Sequence, residues 1–400
     1  MLTSKQQSAV EMVQKNPVSI LTGAPGVGKT YTCKAIIEQA REAKQSILLA
    51  APSGKAAKRL SEATSRSAST IHKLLEAQMD NGTFFFQRNE KYPLDANLII
   101  LDEVSMVSNQ LMCDFLKAVS CGTTVLFVGD QYQLPSVGPG AVLRDFLASG
   151  KIPHVELTEI QRNSGNIVES CHKIKDGQFY TPSSELDLDK GMNLRHIEAR
   201  NPAQIKQIIK ELVVTRLPAR GFNPVWDIQV LSPTNKMSDV SCLSLNTMLQ
   251  AELNPNPAVD GIIFRKGDKV INTKNGQVGD AYIVNGDMGL VLDIDRKHIK
   301  VKFFNPDREV EIGRKMNNLL LGYSITGHRY QGSEAPVIVI PVHKALNYVV
   351  NRPWIYTSIS RAKSICITVG QMSAIHNAIR KEGANLRVTR LEERLSADSN

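Results

Sequence analysis

Short apolar runs, VSILTG, SILLAAP, NLIILDE and TTVLFVGD, alternate between Val18 and Val128 with stretches of helical periodicity. Continuous apolar runs of this length are the pattern of strands buried on both faces, and helices between them predict a parallel α/β sheet wrapped by helices. Each run passes into a turn carrying Gly, Ser or Asp, so the following loops are expected to converge on the carboxyl edge of one sheet, where such sheets bind ligands. The rhythm breaks at about 77–96, where MDNG and TFFFQRNEKYP predict a small hairpin inserted before the next strand.

A second α/β region begins near His154 and includes WDIQVLSPT, PVIVIPV and SICITVG. Within it, about 261–314 changes character: FRKGDKVINT, AYIVNGDMGLVLDID, KHIKVKFF and REVEIGR are short strands joined by Gly, Asn and Asp turns, the pattern of a small inserted β-barrel. The polar stretch 180–200 reads as a surface excursion and RLEERLSADSN as a frayed tail. The expected organisation is two parallel-sheet cores, 1–154 and 155–400.

Composition fits that count, because 400 residues suffice for two modest cores. A balance of 48 Lys and Arg against 39 Asp and Glu gives +9, which suits a phosphate backbone or an anionic membrane surface and does not choose between them. No apolar run approaches the roughly 20 residues needed to span a bilayer, and the N-terminus carries neither a secretory nor a transit pattern, so a cytoplasmic chain without membrane partner is expected. The six cysteines lack CxxC spacing and nearby ligand histidines, which predicts reduced thiols and no structural zinc.

The chemistry starts at Gly23-Ala-Pro-Gly26-Val-Gly28-Lys29-Thr30, a GxxxxGK[ST] phosphate loop between a predicted strand and helix. Its glycines let backbone N–H groups surround phosphates, Lys29 reaches the β and γ oxygens, and the Thr30 hydroxyl is a magnesium ligand. The strand ending in Asp102-Glu103 supplies the partners: Asp102 for the magnesium and Glu103 to orient and deprotonate water. Together these residues imply a nucleoside triphosphatase using ATP and Mg2+, and nothing narrower.

Further segments resemble the motifs of RecD-like superfamily 1 DNA helicases. Leu2-Thr-Ser-Lys-Gln6 is similar to the adenine-reading Q motif, Ala51-Pro52-Ser53-Gly-Lys55 to motif Ia, and Ser69-Thr70-Ile-His72 to the Thr-Ile-His motif. Leu101-Asp-Glu-Val-Ser-Met106 and Gly129-Asp130-Gln-Tyr-Gln133-Leu-Pro135 through Gly140 resemble motifs II and III, and Glu156 through Arg162 resembles motif IV. Ser232-Pro-Thr-Asn235 with Leu245-Asn246, Tyr323 through Glu334, and Tyr356 through Lys363 continue the match, so it runs from residue 2 to about 370.

That resemblance implies two RecA-like cores with an SH3-like insertion, ATP-driven 5′–3′ movement on single-stranded DNA and duplex unwinding, by a monomer whose partners are DNA junctions and replication or recombination proteins. It places Gln6, Gly23, Gly26, Gly28, Lys29, Thr30, Gln133, Gly332 and Glu334 at the nucleotide, with Arg162 and Arg361 as arginine fingers. Pro52, Ser53, Lys55, Thr70, His72, Asn235, Thr326 and His328 are implied DNA contacts. Phe84, Phe85 and Phe86 offer a ring to split the duplex, although alternate strand residues face opposite sides and at least one must pack inward. His72 reads equally as a core histidine. Most isolated arginines cap a nearby carboxylate, but the motif context favours the finger, more firmly for Arg361. Lys266, Lys269, Lys300 and Lys302 either grip the strand or, more in keeping with such residues, form a solvated face. The chain departs from the family pattern at Arg329 and Tyr330, where a bulky ring replaces a small hydroxyl, and in lacking the larger N-terminal extension of some members. A P-loop ATPase unrelated to nucleic acid and a non-motor binding module are the rival readings.

Overall fold

In the computed structural model, which describes residues 2–80, 83–159, 165–236, 238–279, 281–304, 307–314, 318–382, 387 and 389–397 (backbone only at 79–80 and 83–84), the first apolar runs form a parallel sheet. Its strands are β1 (Val18–Gly23), β2 (Ile47–Ala51), β3 (Ser69–Thr70), β6 (Leu98–Leu101), β7 (Thr124–Gly129) and β8 (His154–Leu157), in the order β3-β2-β6-β7-β1-β8. Between β3 and β6 the chain makes an antiparallel hairpin of β4 (Ala77–Asp80) and β5 (Thr83–Phe86). The helices are α1 (Ser4–Lys15), α2 (Lys29–Glu42), α3 (Gly54–Thr64), α4 (Ile71–Leu74), α5 (Asn109–Lys117) and α6 (Val142–Ala148).

Adjacent strand residues divide between two apolar clusters. Ile20, Ile99 and Phe127 join one with Phe115 and Phe146, while Leu21, Ile100 and Leu126 join the other with Ile36 and Ile37. Because side chains alternate across a strand, this division means that both faces of the sheet are covered.

Two compact units result, 1–163 with 383–400, and 164–382. The second contains a parallel sheet ordered β18-β10-β19-β20-β9, from β9 (Leu194–Glu198), β10 (Ile228–Ser232), β18 (Ser324–Thr326), β19 (Ala335–Val342) and β20 (Ala362–Gly370). Its helices are α7 (Gly165–Lys175), α8 (Pro202–Glu211), α9 (Cys242–Leu253), α10 (Arg352–Ile359) and α11 (Met372–Arg380). Between β10 and β18 lies an antiparallel sheet ordered β16-β15-β14-β11-β17, from β11 (Lys269–Asn272), β14 (Met288–Ile294), β15 (His298–Phe303), β16 (Arg308–Gly313) and β17 (Leu319–Leu321). A separate pair, β12 (Gly276–Val278) and β13 (Ala281–Ile283), accompanies it. The last helix is α12 (Leu391–Ala397).

Several expectations need correction. β8 begins at His154 yet pairs with β1, Ile20 opposite His154 and Gly23 opposite Leu157, so the first sheet extends past the expected boundary at 154. The hairpin's strands end at Phe86, well before 96; Leu94 and Ala96 already return to the core as buried residues. The inserted sheet runs past 314, since β17 pairs with β11. The stretch 180–200 is a surface excursion only over 181–192, where the residues are exposed or half-buried; Tyr180 and Leu194 are buried and β9 adds to the edge of β20. Residues 391–397 do not fray, because Leu391 and Leu395 of α12 pack against the cluster containing Phe115 and Phe146; the last three residues of the expected tail lie outside the described residues. No helix among the described residues is long and apolar enough to cross a membrane.

Candidate functional site

The loops after β1, β2, β6 and β7 leave neighbouring parallel strands at the same edge, which brings four sequence segments together. After β1, Gly23, Gly26 and Gly28 take φ of 153°, 81° and 89°. A Cβ on Gly23 would lie 2.6 Å from the Leu157 carbonyl oxygen, so the loop admits only glycine there. Gly28 is the left-handed N-cap of α2, which turns the first N–H groups of that helix toward the loop, the geometry that receives phosphate. The Lys29 ammonium donates to the carbonyls of Gly23 and, at 3.1 Å, Ala24. Thr30 is exposed beside it.

At the end of β6, Asp102 accepts a 2.8 Å hydrogen bond from the Glu103 N–H. Desolvation and then the charge of Glu103 push the Asp102 carboxyl up to about 6, against the lowering fields of Lys29 and Arg59. Arg59 belongs to the motif Ia-like segment 51–60, but its position in the middle of α3 gives no local sign of reaching Asp102. Glu103 itself adopts φ 53°, a left-handed conformation that costs a non-glycine residue energy and persists where the surrounding structure fixes it. Burial, followed by the field of Asp102, holds the Cys33 thiol well above its usual range, so Cys33 is a neutral packing group behind the loop.

Gln6 is buried, and its side chain is half used. Its Oε1 accepts from the Thr3 N–H at 3.0 Å in a capping box, while Nε2 has no partner. A buried unpaired amide is costly unless a ligand completes it, and an adenine edge supplies such acceptors. The glycine cradle, Lys29 and this orphaned amide therefore fit a purine nucleoside triphosphate, and Thr30 with Asp102 fits its magnesium ion.

After β7, Asp130 is fully buried and receives the Tyr132 N–H at 3.0 Å and the Gln133 amide at 3.3 Å. Gln133 is thereby held at the start of the loop running to Gly140. That loop is gripped by Arg387, which stands outside every helicase-like segment and has no local mark of the role; its guanidinium donates to the carbonyls of Ser136, Gly138 and Gly140 at 2.8 to 2.9 Å.

The expected DNA contacts sort by environment. Pro52, Ser53, Lys55, Thr70 and His72 are half-buried at the same edge; Ser53 and Thr70 spend their hydroxyls as N-caps of α3 and α4. Burial lowers the pKa of His72, whose ring lies 5.9 Å from that of Phe86. Phe86 packs against the core while Phe85 is 41% exposed. The side chain of Phe84 and all of Arg162 lie outside the described residues.

In the second unit, Asn235 and His328 are exposed, Thr326 is buried, and Gly332 has φ 71°. Glu334 pairs with Lys363 at 3.8 Å. Arg361 is buried, its Nε donating to the Thr357 carbonyl at 3.1 Å, so it is no surface cap. The Tyr330 ring is also buried. Among the insertion's lysines, Lys269 is not solvated: its ammonium donates to the Val225 carbonyl at 2.6 Å and Gln229 Oε1 at 3.1 Å, with Trp226 beneath it. Lys266, Lys300 and Lys302 pair instead with Asp293, Glu309 and Asp307.

Comparison with known proteins gives a consistent picture. The family described as AAA domain matches residues 1–190, and the UvrD-like helicase C-terminal domain matches residues 321–369. The ATP-dependent RecD2 DNA helicase of Deinococcus radiodurans is 34% identical over 99% of this chain and 53% of its own length. The RecBCD enzyme subunit RecD of Mycobacterium tuberculosis is 26% identical, covering 98% of this chain and 73% of its own. The chain thus spans about half of the first of these relatives. A crystal structure of Pif1 helicase from Bacteroides with ADP-AlF3 and single-stranded DNA superposes with a TM-score of 0.58 at 19% identity, over 94% of both chains, which is a likeness of fold.

Proposed function

We propose that the chain belongs to the RecD-like branch of superfamily 1 helicases and is an ATP-hydrolysing motor that moves 5′ to 3′ on single-stranded DNA and separates duplex junctions. The observations that carry the reading are one sheet edge that bears the glycine loop and the Asp102–Glu103 pair, and the buried, unpartnered amide of Gln6. A phosphate loop alone implies any nucleoside triphosphatase; the segments resembling motif III and the later helicase motifs support the narrower reading of a motor.

In this reading Gln6 holds adenine, the loop N–H groups and Lys29 hold the phosphates, and Glu103 takes the proton from the attacking water. Thr30 and Asp102 would hold a magnesium ion, which would supply positive charge to the phosphates. Arg162 and Arg361 supply cations to the charge that develops as the γ-phosphoryl group leaves, and Gln133 with Glu334 and Gly332 reads its presence. Single-stranded DNA runs past Pro52, Ser53, Lys55, Thr70, His72, Asn235, Thr326 and His328, bound by backbone contacts and stacking and without base-edge readout. The antiparallel sheet of 269–321 serves as an SH3-like insertion and the 77–86 hairpin as the wedge. The motor works as a cytoplasmic monomer alongside replication or recombination proteins.

Hydrolysis measured with and without single-stranded DNA tests the reading. The rate should rise strongly with DNA and the stimulation should weaken with salt, as phosphate contacts release counterions. A rate indifferent to DNA returns the chain to the unrelated ATPases, and unwinding of 3′-tailed duplexes alone overturns the polarity.

A further inference from the structure

The segment from Leu134 to Gly140, which begins next to Gln133, forms no strand or helix of its own. One end is fixed from α5, where the Asn109 N–H donates to the Pro139 carbonyl at 3.0 Å. The rest converges on a single guanidinium. Arg387 Nη2 donates to the Ser136 carbonyl at 2.8 Å, and Nη1 donates to the carbonyls of Gly138 and Gly140 at 2.8 and 2.9 Å and to Ser136 Oγ at 3.3 Å. Ser136 Oγ in turn donates to the Gly138 carbonyl at 2.8 Å, closing the loop on itself. Gly140 has φ 110°, and a Cβ there would lie 2.0 Å from Asn109 Oδ1, so this turn leaves no room for another residue type.

Arg387 is itself anchored. Its carbonyl accepts from Arg144 Nη2 at 2.8 Å; Arg144 pairs at 2.8 Å with Asp145, a carboxylate buried to 1% exposure, and Thr389 donates to the same carboxylate. The following helix α12 adds Leu391 and Leu395 to the apolar cluster around Phe146. Residues 387–397 thus dock on the first unit through a polar lock and an apolar face, although in sequence they follow the second unit. Arg387 stands in none of the segments that resemble helicase motifs. A guanidinium presents five donors in a rigid fork, so one side chain can bind several carbonyls that would otherwise be left to water.

We propose that Arg387 is a positioning residue: it holds the 134–140 loop, and through it Gln133, in the arrangement that couples hydrolysis to DNA. Docking of 387–397 is then part of the motor's machinery. The inference rests on the helicase reading above, and its test separates the two.

The full chain, Arg387→Ala and Arg387→Lys are compared for ATPase kinetics at saturating single-stranded DNA, base pairs opened per ATP, thermal midpoint, and hydrogen exchange of the amides at 134–140. For Arg387→Ala, kcat should fall about tenfold with the KM for ATP within about twofold, since the phosphate loop is untouched. Base pairs opened per ATP should fall as well, and the 136–140 amides should exchange faster while those of β1 and β6 do not. Lys, a cation with three donors, should restore part of kcat. Unchanged kcat and coupling overturn the proposal, as does a joint fall of kcat, ATP affinity and thermal midpoint with Lys no better than Ala, which marks a simple structural brace. Failure of the unsubstituted chain to respond to DNA rejects the helicase reading instead.

Discussion

Gln6 and Thr3 cap each other: the Gln6 N–H donates to Thr3 Oγ1 at 3.3 Å and Gln6 Oε1 accepts from the Thr3 N–H at 3.0 Å, which leaves Gln6 Nε2 buried without a partner. The carbonyl half of the amide serves the helix and the NH2 half is free for a base. Gln6→Glu keeps the capping acceptor and removes the amide donor, so it should leave the thermal midpoint within about 2 °C. The same variant should raise the KM for ATP about tenfold. An unchanged KM would mean that Gln6 only caps its helix.

The proposed function divides binding from chemistry between Lys29 and Glu103. Lys29→Ala should abolish ATP binding and turnover together, because it removes the cation at the phosphates. Glu103→Gln should bind a fluorescent ATP analogue with affinity within about threefold of the native chain and lose turnover by about 100-fold or more. Hydrolysis at the native rate by Glu103→Gln rules it out as the base.

Phe85 and Phe86 are neighbours with opposite surroundings, the first 41% exposed and the second packed on the core near His72. Phe85→Ala should lower unwinding of forked duplexes far more than DNA-stimulated ATPase, with stability unchanged, since stacking on a base contributes about 1–3 kcal/mol. Phe86→Ala should instead lower stability by about 2 kcal/mol, read from urea unfolding. Full unwinding by Phe85→Ala places the wedge elsewhere.

Asp102 predicts a pH dependence with a definite sign. Its carboxyl is pushed up to about 6 in the fold, first by desolvation and then by Glu103, above the ordinary value it has in the unfolded chain. Ionisation is therefore disfavoured by folding: the penalty is absent below about pH 4 and complete above about pH 6. In buffer without nucleotide or magnesium, Asp102→Asn should leave the thermal midpoint unchanged near pH 4 and raise it at pH 7.5, by at most about 3 kcal/mol of stability. A difference that stays constant across that range contradicts the assignment.

The parallel cores were legible because both faces of each strand are apolar, and a run such as Leu98–Leu101 has no other stable use than a strand covered on both sides. Lys29 and the Asp102–Glu103 pair were legible for a local reason: phosphate binding needs a short loop between a strand and a helix, and every residue of it is consecutive. Lys269 went the other way. In sequence it is one basic residue among several, and only the carbonyl of Val225, Gln229 and the Trp226 ring make it a buried structural cation. β8 and β9 were misplaced because an edge strand carries a weaker apolar signal than a central one, and its partner is not written next to it.

The sequence by itself determined the fold class, the phosphate loop, the acidic pair and the order of the helicase-like segments, all of which depend on spacing within a few residues. Only the tertiary structure decided which half of the Gln6 amide is spare, which hairpin phenylalanine faces outward, and that Arg387 closes on the loop after Gln133, 249 positions away from Gly138. The reason is physical. Local spacing fixes backbone geometry, whereas a donor's choice of acceptor depends on which distant carbonyls the fold leaves unpaired, and that is settled only when the sheets and helices have packed.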